Sequence, residues 1–513
     1  MDESKPEKEN FYRLLTASVR QYFESTSLHG FKYLVQSKSD RYTFEKLFWY
    51  GVQICALAGA SYIFVYAFDG FVAKPTVTSL ESVQYPIWEI PYPAIAICSV
   101  NKISKKAAMN YAIELSKRTN NHSVEWLFEN IRHLGHVFDF DLSSFDSYII
   151  FQDLLDIIDV NNETKLFDTQ EKFEFRLTPK CEDLLVRCRF GFAEIECMKL
   201  FNYRKTRHGY CCLFNYVRQF NTLSPKNVGK PRKAEFITSS TGLTVILNAT
   251  TSDYYFSTGD HVGFDVFVSN PSDFSDNQNG GVTHLLVNAG KFTDLELKTT
   301  TIQSKAAIEQ YTPIQRGCLF EHELIEQYAG HYSFVDCLLK CKLRRVIRFC
   351  GCMPFFLPTN FPDGTVSPVK CNLAHNTCLN RYKCKQPILN SYRIPNMISI
   401  AKSMDDSIDC LECLPKCSKA KYKVLSSNFD IRASAQRDQF FRDLGNLEDV
   451  SIMRVYFPYI DSTLYTADVL MTFQELLSLV ILVDYWDYVW VSLWQTSSKY
   501  FILQQFESIE TLN

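Results

Sequence analysis

The sequence predicts a membrane protein of α+β class: transmembrane helices joined to a large disulfide-rich extracellular domain with a β-sheet core and peripheral helices. Three observations predict it. Leu47–Phe68 is a run of 22 residues without a charge. Of 18 cysteines, 17 fall between Cys98 and Cys417. Between those cysteines, segments rich in β-branched and aromatic residues alternate with helically patterned ones.

The run Leu47–Phe68 reads LFWYGVQICALAGASYIFVYAF. About 20 apolar residues in a helix cross the hydrocarbon core of a bilayer. Gly51, Ala56, Ala58, Gly59 and Ala60 are small residues that suit helix packing in lipid, and a buried helix of a soluble protein seldom runs so long without a charge. The first 30 residues hold no signal-peptide pattern. Lys32, Lys38, Arg41 and Lys46 precede the run and only Lys74 follows closely, so the N-terminus is expected in the cytoplasm. The expected organisation is a cytoplasmic segment 1–46, a first span 47–68, an extracellular cysteine-rich domain 69–465 and a degraded or frame-shifted second transmembrane region 466–513. The glycosylation sequons at Asn121, Asn162 and Asn248 all lie in the expected outer region.

Within that region, Pro75–Ile97 reads as extended strand and Ile103–Ile158 as helical. Phe173–Phe267 reads as strands and turns, Ser333–Phe349 as a helix, Asn360–Thr377 as a loop and Lys421–Leu425 as a strand returning to the membrane. Hydrophobic content of 46% and charged content of 22% belong to a folded chain, and a net charge of -3 argues against a nucleic-acid partner.

A reducing cytosol seldom sustains 17 such cysteines unless metals bind them, and their spacings are not those of zinc sites. Disulfides in an oxidising compartment are therefore expected, with no metal and no cofactor. His322-Glu323 begins like a zinc-protease motif, but position 326 is Glu. No G-x-S-x-G, Walker loop or nucleotide fingerprint occurs, so the chain is not expected to be an enzyme.

From Arg316 the pattern is R-G-C-L-F-x-H-E, then Y-x-x-x-x-C-x-x-x-C, then C-G-C-M-P, then C-L-E-C-L-P-K-C-x-x-x-x-Y. Cys337 and Cys341, four apart on a helix, face one side and can be stapled to a later cluster across a chain reversal. At these residues the chain resembles the degenerin/epithelial sodium channel family, in its insect pickpocket-like branch. Cys318, Cys337, Cys341, Cys350, Cys352, Pro354, Cys371, Cys410, Cys413, Cys417 and Tyr422 match that family's thumb cysteine signature. Tyr92–Cys98, YPAIAIC, is similar to its strand after the first span, and Thr206–Asn215 to a pickpocket block. His29-Gly30 matches its cytoplasmic gating dipeptide. The resemblance covers about residues 25–475, with Cys410 and Cys413 one residue further apart than is usual.

The resemblance implies the bridges Cys318–Cys417, Cys337–Cys413, Cys341–Cys410, Cys352–Cys371 and Cys181–Cys188. It joins Cys98 to Cys211 or Cys212, and Cys350 to Cys378 or Cys384. It further implies a multi-pass plasma-membrane subunit of an amiloride-sensitive channel, gated by an extracellular ligand or other stimulus and passing sodium ions. The lipid bilayer and related subunits of a homo- or hetero-trimer would be its partners. In such a subunit a second span carries a G-x-S selectivity filter. Here the uncharged run after Glu475 is only Leu476–Val483, and Asp484 and Asp487 follow, so no filter residue can be assigned. Two readings remain. Either the tail is a frame-shifted pore helix, or the chain is a pore-less single-pass receptor or dominant-negative subunit.

Overall fold

The computed structural model describes residues 5–25, 42–73, 75–118, 122–139, 145–160, 176–217, 229–233, 238–274, 281–324, 332–354, 371–383, 387–388, 408–410, 413–431, 439–442, 444–470 and 475. Two units make up the chain: 1–77 with 306–316 and 468–513, and 78–305 with 317–467.

The first unit contains two long helices, α1 (Lys5–Ser25) and α2 (Tyr42–Ala73). The 32 residues of α2 reach about 48 Å at the ordinary helical rise. Among the described residues, Leu47–Ala73 is the one helix long and apolar enough to cross a membrane. Leu47, Tyr62 and Tyr66 are each 73% exposed. A helix apolar all round needs either a protein core or lipid, and among the described residues no core covers it. The helix passes the expected end at Phe68 and runs through Asp69 and Gly70 to Ala73. Phe71, Val72 and Ala73 extend the apolar surface, and Pro75 then bars further helix. Phe71 meets the Tyr311 ring edge-on, centroids 6.5 Å apart. The Leu470 N–H donates to the Pro75 carbonyl at 2.7 Å.

The second unit is built on two sheets. Along the chain its strands are β1 (Thr76–Pro86), β2 (Ala94–Ser99), β3 (Asn101–Ser104), β4 (Leu185–Phe190), β5 (Ala193–Ile195), β6 (Phe201–Thr206), β7 (Gly209–Phe214), β8 (Leu243–Asn248) and β9 (Tyr254–Ser257). There follow β10 (Gly263–Ser269), β11 (Thr283–Asn288), β12 (Lys291–Ser304), the short pair β13 (Pro387–Ile388) and β14 (Ile408–Asp409), β15 (Lys419–Asp430), β16 (Val450–Tyr456) and β17 (Asp461–Val469). One sheet has the order β1-β17-β12-β16-β8-β4-β5, with β15 also paired to β12. The other is β11-β10-β2-β7-β6.

The two sheets share a core. Ile95, Ile97, Phe214, Phe264 and Val266 from the smaller sheet pack with Val245, Leu295, Leu297, Met453 and Val455 from the larger. Each such side chain contributes about 1.5–3 kcal/mol when taken out of water. Tyr92 of the YPAIAIC segment sits at the centre. Its ring meets Phe190, Phe214 and Phe457 edge-on, and its hydroxyl donates to the Val455 carbonyl at 2.6 Å. Facing residues of β12 and β16 add a bidentate pair, Arg454 to Asp294 at 2.7 and 2.6 Å, with the guanidinium 4.4 Å from the Phe292 ring centre.

A helical layer covers the side: α3 (Lys105–Ser116), α4 (Val124–Ile131), α5 (Phe145–Val160) and α6 (Phe334–Cys350). Tyr111, Leu115, Leu127, Ile131, Phe151, Leu339 and Leu343 form its core. The expected helical stretch from Ile103 begins differently. Asn101–Ser104 is a strand paired to β9, and Ser104 caps α3 by accepting from the Ala107 N–H at 3.1 Å. Part of the expected loop Asn360–Thr377 is also ordered otherwise: Asn372 and His375 form a capping box, and α7 (Asn376–Lys383) follows. The returning strand is longer than expected. Its 12 residues pair along nearly the whole of β12.

Candidate functional site, a disulfide-clamped arm

Helix α6 is the arm's spine. Cys337 and Cys341 lie one turn apart and bridge to Cys413 and Cys410, with Cα–Cα distances of 5.7 and 6.0 Å. A turn closed by the Cys413 N–H on the Cys410 carbonyl, 3.1 Å, brings both partners to the same helix face. Below them Cys318 joins Cys417. Flanking that bridge, Leu319 donates to the Pro415 carbonyl at 2.9 Å, and Cys417 donates to the Leu319 carbonyl at 3.0 Å.

Gly351 ends α6 at φ 67, donating to the Ile347 carbonyl at 2.9 Å. A side chain there would be strained, and glycine is not. The bend sends Cys350 to Cys378 and Cys352 to Cys371. At the arm's base the Ser333 hydroxyl donates to Asp273, just past β10, at 2.8 Å, and the Tyr332 hydroxyl donates to the Leu414 carbonyl within the clamp itself.

Elsewhere one expected bridge is replaced. Cys181 and Cys188 are not joined to each other: Cys181 bonds Cys212, Cys188 bonds Cys197, and Cys98 bonds Cys211. Strand alternation explains it. Cys211 and Cys212 are neighbours on β7, so their sulfurs leave on opposite faces and need partners on opposite sides. β2 lies beside β7 and supplies Cys98 on one face, and Cys181 approaches the other. Cys188 then takes Cys197, past the hairpin at Gly191. Cys197 had no place in the expected set, and the adjacent pair Cys211-Cys212 was the signal that could have given it one.

His29, Gly30, Cys384, Asn121 and Asn162 lie outside the described residues. Asn248 is half-buried at the end of β8, and its side-chain oxygen accepts from the Thr250 N–H at 3.0 Å. Cys55 is a free, exposed thiol on α2.

A cluster of titratable groups sits on the smaller sheet. The His208 and His284 rings both stack on Phe267, with centroids 4.1 and 4.7 Å away. His284 Nε2 lies 2.9 Å from Asp265 Oδ1, and His261 Nε2 lies 3.9 Å from it. Lys102 is buried, and its Nζ donates to the Ser99 carbonyl at 2.7 Å. Burial pushes the Lys102 ammonium down to about 8, against the attraction of Asp265. Burial alone would raise the Asp265 carboxyl, but the His284 hydrogen bond and then the Lys102 charge hold it below the usual range. Burial first, then the charges of Lys102 and Arg207, push the His208 imidazole down to about 3.

The sign for His208 is that of a depressed base. The unfolded chain binds the proton near pH 6.5 and the folded chain refuses it down to about 3, so stability is complete above 6.5 and falls as pH drops through that window. The loss is about 1.4 kcal/mol per pH unit for this one group. His133 and His375 are also held low by burial and add to the slope. The difference between wild type and His208→Gln isolates His208. In melts with disulfides intact at pH 6.5 and 5.5, the variant is expected to lose about 1 kcal/mol less, because the unfolded imidazole is only half protonated at the upper pH. Equal losses would refute the assignment.

The family model described as "Amiloride-sensitive sodium channel" matches residues 22–480. Among characterised proteins, the chain is 24% identical over 481 residues to "Pickpocket protein 28" of Drosophila melanogaster, covering 86% of this chain and 70% of that one. It is 23% identical over 449 residues to "Sodium channel protein Nach" of Drosophila ananassae, covering 85% and 77%. It is 24% identical over 372 residues to "Bile acid-sensitive ion channel" of Mus musculus, covering 71% and 63%.

Proposed function

Because the chain belongs to the amiloride-sensitive sodium channel family, we propose that it is a subunit of a stimulus-gated channel passing sodium ions across the plasma membrane. In this reading amiloride blocks it, and it assembles as a homo- or hetero-trimer with related subunits. The observation that carries it is the family match over residues 22–480, joined to an apolar, exposed helix and a disulfide-clamped arm on one chain.

Residues 1–46 are then cytoplasmic, 47–68 the first span, 69–465 extracellular and 466–513 the pore region. His29 and Gly30 act at the cytoplasmic mouth, where a histidine near its neutral pKa and a flexible glycine suit a gate. On the outside, the stapled arm moves as one body. Residue 317 links its base to the segment whose Tyr311 touches Phe71 at the end of α2. A stimulus that shifts the arm thereby reaches the span.

The test is electrical. Cells of low sodium conductance express either a pickpocket-type subunit with and without the chain, or the chain carrying its tail read one base out of phase from Asp484. An inward current is expected that amiloride blocks and that vanishes when a large organic cation replaces sodium. His29→Ala is expected to lower open probability at unchanged surface biotinylation. A chain that reaches the surface and adds no such current in either setting overturns the proposal.

A further inference from the structure

Between the base of α6, the first residues of β15 and the loops beside β12 lies a cavity of about 610 Å³. Sites for drug-sized organic ligands occupy roughly 300–1,000 Å³ and are mostly apolar with a few polar groups. This one fits that description. Val217, Ile302, Phe334 and Val335 line it.

Its polar groups are unequally engaged. Glu89 lines the cavity but pairs with Lys233 at 3.5 Å. Asp273 lines it but accepts from Ser333 at 2.8 Å and Asn270 at 2.9 Å. Lys419 and Lys421 line it too, and among the described residues neither has a hydrogen-bond or carboxylate partner. Thr301, only 9% exposed, contributes a hydroxyl that no described residue satisfies. Buried hydroxyls are rarely left so.

The ladder register sets these groups apart. Ile302 faces Lys419 across the strands, and Thr301 faces Ala420. Side chains one residue apart on a strand leave on opposite faces. The lysines therefore share one face of β15 as i and i+2, and the Thr301 hydroxyl belongs to the other. β15 pairs only with β12 among the described strands, and residues from both faces of that pair line the cavity. Packing around Lys419, and then the charge of Lys421, hold its ammonium below the usual lysine range. Two like charges side by side, with the two carboxylates of the described lining, Glu89 and Asp273, engaged elsewhere, are relieved by an anion.

We propose that this cavity binds an amphipathic organic anion, a carboxylate or sulfonate on an aromatic or alicyclic skeleton. The acid group sits between Lys419 and Lys421, the skeleton fills the wall of Val217, Ile302, Phe334 and Val335, and Thr301 hydrogen-bonds a polar substituent at the far side. The proposal concerns binding, and it stands whether or not the chain conducts.

The test uses the full chain, disulfides intact, in phosphatidylcholine nanodiscs. The probe is 4'-fluorobiphenyl-4-carboxylate, followed by fluorine NMR against empty nanodiscs and against its uncharged amide. Saturable binding is expected, at least tenfold tighter for the acid than for the amide. The double variant Lys419→Gln/Lys421→Gln is expected to lose at least tenfold in affinity, and Lys419→Arg/Lys421→Arg to keep it. Both positions are exposed, so neither variant threatens the fold. No saturable binding beyond empty nanodiscs, equal binding of acid and amide, or equal binding by the glutamine variant would each overturn the proposal.

Discussion

Removing all three bridges that clamp the arm is expected to abolish the folded outer domain and with it surface delivery. The bridges are Cys318–Cys417, Cys337–Cys413 and Cys341–Cys410, closing segments of 99, 76 and 69 residues. They are nested, so their effects are not equal. With the inner two intact, the outer bridge closes an effective loop of roughly 25 residues, worth about 3.5 kcal/mol in unfolded-chain entropy. Without them it closes the full length, worth about 4.7 kcal/mol. The three together come to roughly 10 kcal/mol by the same relation, against a usual net stability of about 5–15 kcal/mol. Cys318→Ser/Cys417→Ser is therefore expected to weaken the protein measurably and leave it foldable. Replacing all six cysteines by serine is expected to leave less than a tenth of the wild-type amount at the surface. Cys188→Ser/Cys197→Ser, whose separation is 9 residues, is expected to cost less than about 3 kcal/mol. Surface biotinylation and thermal melts of purified protein decide it. A six-serine chain delivered at wild-type level would refute the clamp.

What the sequence disclosed depended on how local the cause was. The stretch Leu47–Phe68 of α2 was legible because it carries no charge on any face, whereas the flanking turns with Glu45, Lys46 and Asp69 were not. The arm was legible because Cys337 and Cys341 recur at one helical turn and Gly351 stands between two cysteines. The bridges of Cys181 and Cys188 were not, because their partners follow from the two faces of β7, and that strand must first be placed beside β2. β15 looked short because only its first residues alternate clearly. The remainder, LSSNFD, is exposed on both faces and owes its extension to pairing with β12. The cavity beside Lys419 draws its wall from segments as distant as Val217, Ile302 and Phe334, and no spacing rule unites them. His208, Asp265 and His284 likewise meet only after three strand pairings are made.

The second large effect concerns the tail, where residues 476–513 lie outside the described structure. In the present frame the tail is expected to carry no current, and read one base out of phase from Asp484 it is expected to conduct sodium. Asp484 and Asp487 would each cost about 2.5–3.5 kcal/mol at the middle of a membrane helix. The genetic code removes them. Joining the last base of each codon to the first two of the next, Tyr485-Trp486 forces Leu, Trp486-Asp487 forces Gly and Asp487-Tyr488 forces Leu. Tyr488-Val489 then allows only Cys or Arg, Val489-Trp490 gives Leu, Met or Val, and Trp490-Val491 forces Gly. Ser492-Leu493 permits Ser two steps after that glycine. The string can therefore read Leu-Gly-Leu-Cys-Leu-Gly-x-Ser, which is uncharged and has small residues where a pore must narrow. At such a point backbone and hydroxyl oxygens can replace the water around sodium. Ser498-Lys499 permits Glu beyond it, and the Lys499 charge is lost. Forced glycines at that spacing are what a pore helix read in the wrong frame leaves behind. Two measurements decide it: independent transcripts across codons 475–513, and sodium currents from both tails at matched surface levels. Transcripts that all keep the present frame, together with a silent shifted tail, would sink the idea and leave a pore-less subunit that acts only through its partners.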